Sequence, residues 1–270
     1  MYTTTVLVCG AGPAGCSCAH RLASKGVDCL LLDRAQFPRR KTCAGVLGRR
    51  AIDHLLDGQL LTAEELDDVT LAFHSKMSCW FRSRRLRTHF PQGPPIRLVD
   101  RSALDALMLE RAREAGVRVL EGTRVIHVGD GLARTSSGRD IRFSSIVGTD
   151  GARSLVAEFL YGRRHKRKQG IGIQSAVPAM ETNGSGLQIH FGLVPWGYGW
   201  VFPRRDDVLV GIGGTGKGFT PSRSIAEIPR LLRHAGGTGT EPLKGAPIPA
   251  GPLSSRLGSG SVFLAGEAAG

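Results

Sequence analysis

The order of apolar runs and amphipathic stretches along the chain predicts an α/β fold. An apolar run at 4–9 leads into a Gly-rich turn, a helical stretch to about residue 25 and a second apolar run at 27–32. A strand, a helix and a strand within about thirty residues make one βαβ unit, the repeating part of a parallel sheet. A helix at 101–115 followed by a strand at 117–120 predicts that the chain returns to that sheet a second time.

The remaining pattern predicts two groups of strands. Short strands at 69–74, 79–81 and 86–90 are expected in one antiparallel sheet. A β-meander is expected at 123–128, 132–135 and 140–143, before a separate buried strand at 145–147. From residue 170 a second, largely antiparallel sheet is expected, with strands at 170–177, 187–193, 199–203 and 208–213. Helices are expected at 48–56 and at 222–234, and a further short helix is expected to end at about residue 161. The segment 238–261 is rich in Gly and Pro, which predicts little structure there. A last strand is expected at 262–265.

Two interleaved domains follow from this order. A Rossmann-like three-layer domain is expected over 1–68, 95–168 and 255–270, and a mainly antiparallel β-sheet domain for the substrate over 69–94 and 169–254. A length of 270 residues with 41% hydrophobic residues provides enough core for both and excludes a wholly disordered chain. No apolar run approaches the ~20 residues that span a bilayer, and the first residues are interpreted as a strand, not a signal peptide.

Cysteine usage and charge indicate the setting of the protein. The six cysteines form no CxxC pair and no metal-ligand spacing, which favours a reducing, cytoplasmic location without a metal site. The 36 Lys and Arg residues outnumber the 23 Asp and Glu residues, a net charge of +13. Two basic runs, 82–87 and 163–168, lack the interleaved aromatic residues of a nucleic-acid platform. The positive charge leaves three explanations open: peripheral binding to an anionic membrane surface, binding to an acidic protein partner, or a basic surface that is merely solvated.

The first candidate site is Gly10-x-Gly12-x-x-Gly15, which follows a predicted strand and opens a predicted helix. In that context Gly10 permits the tight turn, Gly12 lets the backbone approach a pyrophosphate and Gly15 lets helix and sheet pack closely. Asp33 ends the second strand, where a carboxylate is placed to accept a hydrogen bond from a ribose hydroxyl. The pattern therefore predicts a dinucleotide site.

Two later turns resemble further parts of a flavoprotein fold. The segment 148–154, Gly-Thr-Asp-Gly-Ala-Arg-Ser with Asp150, resembles the Asp-Gly fingerprint of flavoprotein hydroxylases. The segment 262–270, with Gly266 and Glu267, resembles the strand and Gly-Asp-Ala-Ala turn that contacts FAD in these proteins. Together with the first motif, they resemble the p-hydroxybenzoate hydroxylase-like FAD fold. Glu267 stands where Asp is usual.

Two segments resemble the geranylgeranyl reductase family more narrowly. Residues 37–45, FPRRKTCAG, are similar to its FPR-x-K-x-C-(G/A)-G loop, and residues 195–203, PWGYGWVFP, fit its P-x-x-Y-x-W-x-F-P motif. The resemblance extends over residues 1–270. Tyr198, Trp200 and Phe202 would share one face of a strand, either at the flavin end of an apolar tunnel or as a core-facing aromatic stripe.

The resemblance implies a set of site residues. Cys43, Tyr198 and Trp200 are the catalytic candidates. The residues expected along FAD are Gly10, Gly12, Ala14, Gly15, Asp33, Arg34, Cys43, Ala44, Arg101, Val125, Asp150, Gly266 and Glu267.

It also implies an activity. Reduced FAD would deliver a hydride to a C=C bond of an isoprenoid chain, with electrons from NAD(P)H or reduced ferredoxin. Tyr198, His190 and water are the alternatives for the proton donor. A flavin monooxygenase on the same fold is an alternative activity. Family members continue beyond the point where this chain stops. We therefore expect the C-terminal part of the family fold to be absent here, and an inactive flavoprotein fragment is a third possibility.

Overall fold

The computed structural model describes residues 1–82, 84–89, 95–162, 169–178, 186–235, 242–250 and 257–270. Its strands are β1 (Tyr2–Cys9), β2 (Cys29–Leu32), β3 (Val46–Leu47), β4 (Thr70–His74), β5 (Met77–Phe81), β6 (Arg84–His89), β7 (Ile96–Val99), β8 (Arg118–Leu120), β9 (Val125–Gly129), β10 (Leu132–Thr135), β11 (Asp140–Gly148), β12 (Gln169–Pro178), β13 (Leu187–Phe191), β14 (Gly197–Pro203), β15 (Asp207–Gly214), β16 (Lys244–Pro249), β17 (Gly258–Ser259) and β18 (Val262–Leu264). Its helices are α1 (Pro13–Ala23), α2 (Arg49–Asp57), α3 (Ala63–Asp68), α4 (Arg101–Glu114), α5 (Leu155–Tyr161) and α6 (Pro221–Ala235), with a 3₁₀ turn at Gly266–Ala268. The predicted α/β fold is confirmed.

The first sheet has eight strands, and its centre is parallel. Its order is β17-β18-β11-β1-β2-β8; the meander strand β10 also pairs with β11, and β9 pairs with β10. Side chains of β1 alternate between two cores: Val6 and Val8 pack on the side of α1 and α4, whereas Leu7 and Cys9 pack on the side of α5. Because both faces are covered, the strand reads as an apolar run in the sequence.

One prediction for this sheet is wrong. Residues 140–143 and 145–147 were expected to be separate strands, but they form the single strand β11. Two serines, Ser144 and Ser145, interrupt the apolar pattern there. The backbone nevertheless stays paired with β1 on both sides of them, from Tyr2 opposite Ile141 to Cys9 opposite Gly148.

The second sheet has seven strands in the order β16-β12-β15-β14-β13-β5-β6. All its neighbours are antiparallel except β5 and β13. Helix α6 covers one face, where Ile228 and Leu231 join the core of Val201 and Val210. Strand β16 lies in the segment 238–261, where little structure was predicted. The two prolines of β16 are untypical of a strand, so the sequence did not predict one there. They are tolerated because β16 is an edge strand.

A small third sheet has the order β3-β7-β4. It packs on both larger sheets, because Val99 of β7 belongs to a core of the first sheet and Leu98 to a core of the second. The prediction that 69–74 pairs with 79–81 and 86–90 is wrong, because β4 pairs with β7. Helix α3 was not predicted, although Thr62 and Glu65 form a capping box whose S/T-x-x-E signature is visible in the sequence. Among the helices in the described ranges, none is long and apolar enough to cross a membrane.

Candidate functional site

The three turns that resemble flavoprotein motifs meet at one edge of the first sheet. Strands β1, β11 and β18 are adjacent and parallel, so the turns that follow them lie side by side. The backbone N–H of Thr149 donates to the carbonyl of Cys9 at 2.8 Å, and the N–H of Ala265 donates to Gly148 at 2.9 Å. This edge, at the carboxyl ends of parallel strands, is where open α/β sheets bind ligands.

The three glycines of the first turn have different roles. Gly10 has φ +107°, and an added Cβ would lie 2.5 Å from the Thr149 carbonyl oxygen. A Cβ on Gly15 would lie 1.8 Å from the oxygen of Gly10, so both positions exclude any side chain. Gly12 differs, because the nearest atom to its added Cβ is Arg39 Nη2 at 3.7 Å. The space above Gly12 is therefore open to a ligand.

Helix α1 directs its N-terminus at this space. Gly12 is its N-cap and supplies no side-chain hydrogen bond, so the first N–H groups of the helix are left for another acceptor. The partial positive charge of a helix N-terminus favours an anion such as a phosphate.

A cavity of about 750 Å³ opens at this edge. Ten of the predicted cofactor-binding residues line it: Gly10, Gly12, Ala14, Asp33, Arg34, Arg101, Val125, Asp150, Gly266 and Glu267. Gly15 lies behind the turn, and Cys43 and Ala44 lie outside the lining. The lining also contains Arg39, Arg40, Lys41, Arg124 and Arg153, against the carboxylates of Asp33, Asp150, Glu158 and Glu267. This excess of cations suits an anionic ligand.

Asp33 is held rigidly at the cavity wall. Its Oδ2 accepts from the N–H of Ala11 and its Oδ1 from the N–H of Ala35, both at 2.8 Å. Because each carboxylate oxygen can accept more than one hydrogen bond, the group can still accept from a ligand hydroxyl. The structure thus ties the predicted ribose-binding residue to the glycine turn itself.

Arg101 belongs to a buried ion cluster that the sequence analysis did not find. Its Nε and Nη2 donate to the two oxygens of Asp105 at 2.8 and 3.0 Å, and Arg39 Nη2 lies 3.2 Å from Asp105 Oδ2. The carboxylate of Asp105 is fully buried. Burial alone would lower the pKa of Arg101, but the hydrogen bonds and charge of Asp105 raise it above its usual range. The only sequence signal for this pair is the i,i+4 spacing of Arg101 and Asp105 on a helix.

Asp150 presents a buried carboxylate to the same cavity. Its Oδ2 accepts from the N–H of Leu155 at 2.7 Å, while Oδ1 is buried with no hydrogen-bond partner in the described part of the chain. Burial raises the pKa of Asp150, although hydrogen bonds from its neighbours oppose the shift. A buried acceptor without a partner is costly, so this atom is suited to a polar ligand group.

Glu267, the departure from the expected Asp, lies at the rim of the cavity. Its Oε2 is 3.4 Å from Lys41 Nζ, and its side chain is half-exposed. Gly266 has φ +60°, and an added Cβ would lie 2.6 Å from the Cβ of Ala14. The longer side chain therefore reaches the 37–45 loop while the turn stays packed on α1.

The three aromatic residues of β14 share one face of the second sheet, as predicted. The ring centroids of Tyr198 and Trp200 are 6.1 Å apart, and those of Trp200 and Phe202 are 6.5 Å apart. Trp200 and Phe202 are buried in a core with Leu98, and Tyr198 is half-exposed. None of the three lines the cavity at the edge of the first sheet. We call this side of the sheet the aromatic face.

The loop that contains Cys43 connects the cavity with the aromatic face. Gln174 of β12 donates from Nε2 to the carbonyl of Cys43 at 3.3 Å. The Cys43 side chain is also close enough to Arg101 in the cavity wall to contribute to the raised pKa of that guanidinium. Ala44 packs against the core that contains Trp200. Cys43 thus lies between the two regions.

His190, a candidate proton donor, lies on the other face of the sheet. It is opposite Gly199, whose added Cβ would touch Leu231 of α6. It stacks on Trp80 and is hydrogen-bonded to Gln188 Oε1 at 3.0 Å. His190 is therefore not placed to act with Tyr198.

Comparison with known proteins identifies the class. Residues 3–183 match the family model described as "FAD binding domain". Over 288 residues the chain is 29% identical to the menaquinone reductase of Mycolicibacterium smegmatis, covering 98% of this chain and 69% of the relative. It is 27% identical over 285 residues to the geranylgeranyl diphosphate reductase of Rhodobacter capsulatus, covering 97% and 68%. A geranylgeranyl bacteriochlorophyll reductase-like structure from Thermoplasma acidophilum superposes with a TM-score of 0.83 at 18% identity, covering all of this chain and 72% of that one.

The chain belongs to the FAD-binding domain family and, within it, to the geranylgeranyl reductase group of FAD-dependent oxidoreductases. The cavity fits FAD on its own chemistry. The open space at Gly12, the N-terminus of α1 and the surplus of arginines suit the diphosphate, and Asp33 suits a ribose. The unpartnered Oδ1 of Asp150 offers a further acceptor for a polar group of the cofactor.

Proposed function

We propose that this protein reduces C=C bonds of an isoprenoid chain with electrons from FAD. The observation that carries the proposal is the connection between the cofactor cavity and the aromatic face through the loop of Cys43. The relatives are named as reductases of geranylgeranyl diphosphate and of menaquinone, both molecules with isoprenoid chains.

The chain's own residues hold and orient the cofactor. The turn at Gly10 and Gly12 and the N-terminus of α1 bind its diphosphate, and Asp33 binds its ribose. Arg101 is fixed by Asp105 and offers a positioned charge in the cavity wall. When bound, FAD supplies two-electron transfer chemistry.

The aromatic face supplies an apolar surface for the substrate. Tyr198 and Phe191 are adjacent on β14 and β13, with ring centroids 6.1 Å apart, and both are exposed. An isolated alkene carries no charge, so the protein can accelerate its reduction mainly by holding it close to the cofactor and excluding water. With His190 on the opposite face, Tyr198 and water are the remaining proton donors. The electron donor, NAD(P)H or reduced ferredoxin, and the catalytic roles of Cys43, Tyr198 and Trp200 remain part of the proposal.

Two glycine variants test the cofactor site. Gly12 and Gly48 are both helix N-caps with extended backbone, and Gly48 has no atom within 4 Å of an added Cβ. Gly12→Val should weaken FAD binding by at least about a hundredfold, because the diphosphate loses charge-assisted hydrogen bonds of about 1.5–3 kcal/mol each. Gly48→Val is the matched control. The visible spectrum after FAD addition and desalting is the measurement, and equal flavin retention by both variants would contradict the assignment.

An anaerobic turnover experiment tests the reaction. The FAD-loaded protein is reduced with dithionite and mixed with geranylgeranyl diphosphate or menaquinone, and the products are analysed by mass spectrometry. We expect products heavier by one molecule of hydrogen per reduced double bond. Tyr198→Phe keeps the ring and removes the hydroxyl, so it should slow turnover without changing flavin retention if Tyr198 donates the proton. Turnover only in air, with oxygen incorporated into the substrate, would instead identify a monooxygenase.

A further inference from the structure

One end of the seven-stranded sheet gathers exposed aromatic side chains. Strands β5 and β13 run parallel and end there at Phe81 and Phe191, and Tyr198, opposite Phe191, is the second residue of the antiparallel β14. Trp196 lies in the turn between β13 and β14. The exposed fractions are 47% for Phe81, 40% for Phe191, 79% for Trp196 and 46% for Tyr198. We call these four side chains the aromatic rim.

The aromatic rim is built by defined contacts. Phe81 and Phe191 are register partners, and an added Cβ on Gly192 would lie 2.8 Å from the ring of Phe81. The backbone of Trp196 has φ +52°, a conformation that is uncommon for a bulky residue. Its carbonyl accepts from the N–H of Thr215 at 3.1 Å, which fixes the turn to β15. The turn that carries the exposed indole is thus fixed by the fold.

The surroundings of the rim are basic. The guanidinium of Arg82 lies 5.6 Å from the centroid of the Phe81 ring, and Arg84 is the register partner of Phe81. Lys217 lies in the segment after β15, and all three basic side chains are exposed. The sequence at 81–87, 191–198 and 213–220 contains no Asp or Glu. The basic run 82–87 of the sequence analysis therefore belongs in part to this end of the sheet, whereas the run 163–168 lies outside the described residues.

We propose that the aromatic rim is a docking surface for an anionic lipid bilayer. Trp and Tyr side chains favour the interface between lipid and water, since one part of each ring system is apolar and another is polar. Lys and Arg at the same level are attracted to anionic head groups. An acidic protein partner would also pair with the basic side chains, but its charge would not by itself account for the four exposed aromatic rings beside them.

The position of the rim also bears on the proposed function. Tyr198 and Phe191 belong both to the rim and to the aromatic face. If this protein docks through the rim, the exposed end of the aromatic face therefore points toward the bilayer. An isoprenoid lipid could then reach the aromatic face directly from the membrane. Membrane binding itself does not depend on the reductase activity, and it is measured without turnover.

Vesicle flotation tests the proposal. The full chain is mixed with vesicles of phosphatidylcholine alone, or of phosphatidylcholine with phosphatidylglycerol. We expect binding only to the anionic vesicles, weakened by salt. The triple variant Arg82→Gln, Arg84→Gln, Lys217→Gln should bind about a hundredfold more weakly, since each basic residue near an anionic surface contributes about fivefold. The matched control Arg21→Gln, Lys25→Gln, Arg50→Gln removes the same charge from exposed positions in the cofactor-binding part and should bind as the original protein does.

Tryptophan fluorescence reports on the aromatic part of the rim. Trp200 is buried, whereas Trp196 is the most exposed tryptophan in the described part of the chain. Anionic vesicles should shift the emission to shorter wavelength, and Trp196→Ala should abolish the shift. No binding to anionic vesicles, or an equal loss in both triple variants, would overturn the proposal. A salt-sensitive complex with an acidic ferredoxin in the absence of vesicle binding would also overturn it, and would reassign the surface to a protein partner.

Discussion

Replacing Asp105 with Asn should destabilise the protein by about 3–5 kcal/mol, the usual cost of breaking a buried ion pair by removing one partner. Asp105 is fully buried and is shared by Arg101 and Arg39 over three contacts of 2.8, 3.0 and 3.2 Å. An amide keeps one acceptor, but it turns an N–H toward a guanidinium N–H and leaves two mostly buried cations without a counter-charge. For a chain of this size the loss corresponds to a fall in Tm of about 10 °C.

Thermal unfolding followed by circular dichroism measures this change, and a second variant on the same helix serves as the control. Glu110 pairs with Arg113 at 3.2 Å, and both side chains are more than a third exposed. Glu110→Gln should therefore cost less than about 0.5 kcal/mol. If Asp105→Asn lowers stability by no more than Glu110→Gln does, the carboxylate does not hold the two arginines and the ion cluster has been misinterpreted.

Three further outcomes are expected. Gly211→Ala places a Cβ 2.2 Å from the ring of Trp200, so urea unfolding should show a free energy of unfolding that is lower by about 1–3 kcal/mol. Gly48→Ala should show no such decrease, because no atom lies within 4 Å of its added Cβ. Thr149→Val removes the hydroxyl that donates to Cys9 and Gly10 at 2.8 and 2.7 Å; FAD titration should show weaker binding, and Thr149→Ser should restore it. Burial raises the pKa of the Cys16 thiol to about 12 from 9.0, so the folded protein holds this proton longer than the unfolded chain does. Its contribution to stability is present below about pH 9 and lost toward pH 12, and Cys16→Ala should flatten that part of the stability profile.

Local steric demands explain why the glycine turn that lines the candidate cofactor cavity could be predicted from the sequence. Gly10 and Gly15 are required by backbone atoms within a few residues or on the neighbouring strand, so their spacing is visible without a fold. Asp33 could also be predicted, because it directly follows the second strand and its carboxylate accepts a hydrogen bond from the N–H of Ala11 in the turn. Ten of the thirteen residues predicted along FAD consequently line one cavity.

Long-range packing explains what could not be predicted. Arg39 reaches Asp105 from a distant loop, and no local pattern signals that contact. Whether Trp200 faces a tunnel or a core depends on Leu98 of the third sheet, which alternation along β14 does not reveal. The pairing of β4 with β7 likewise depends on which of several short apolar runs meet in the folded chain.

The interleaving of the two large sheets has a consequence for the order of folding. Strand β18 pairs with β11 through Ile146 and Val262, and the whole seven-stranded sheet is encoded between or before these partners. During synthesis the antiparallel strands β12 to β15 can therefore pair while the parallel sheet still lacks its last parallel strand. Contacts of such high sequence separation form slowly, because a long loop must close first. We expect the nucleotide cavity to form only after the strands of the seven-stranded sheet have been synthesised, so that FAD joins a chain in which that sheet can already have folded.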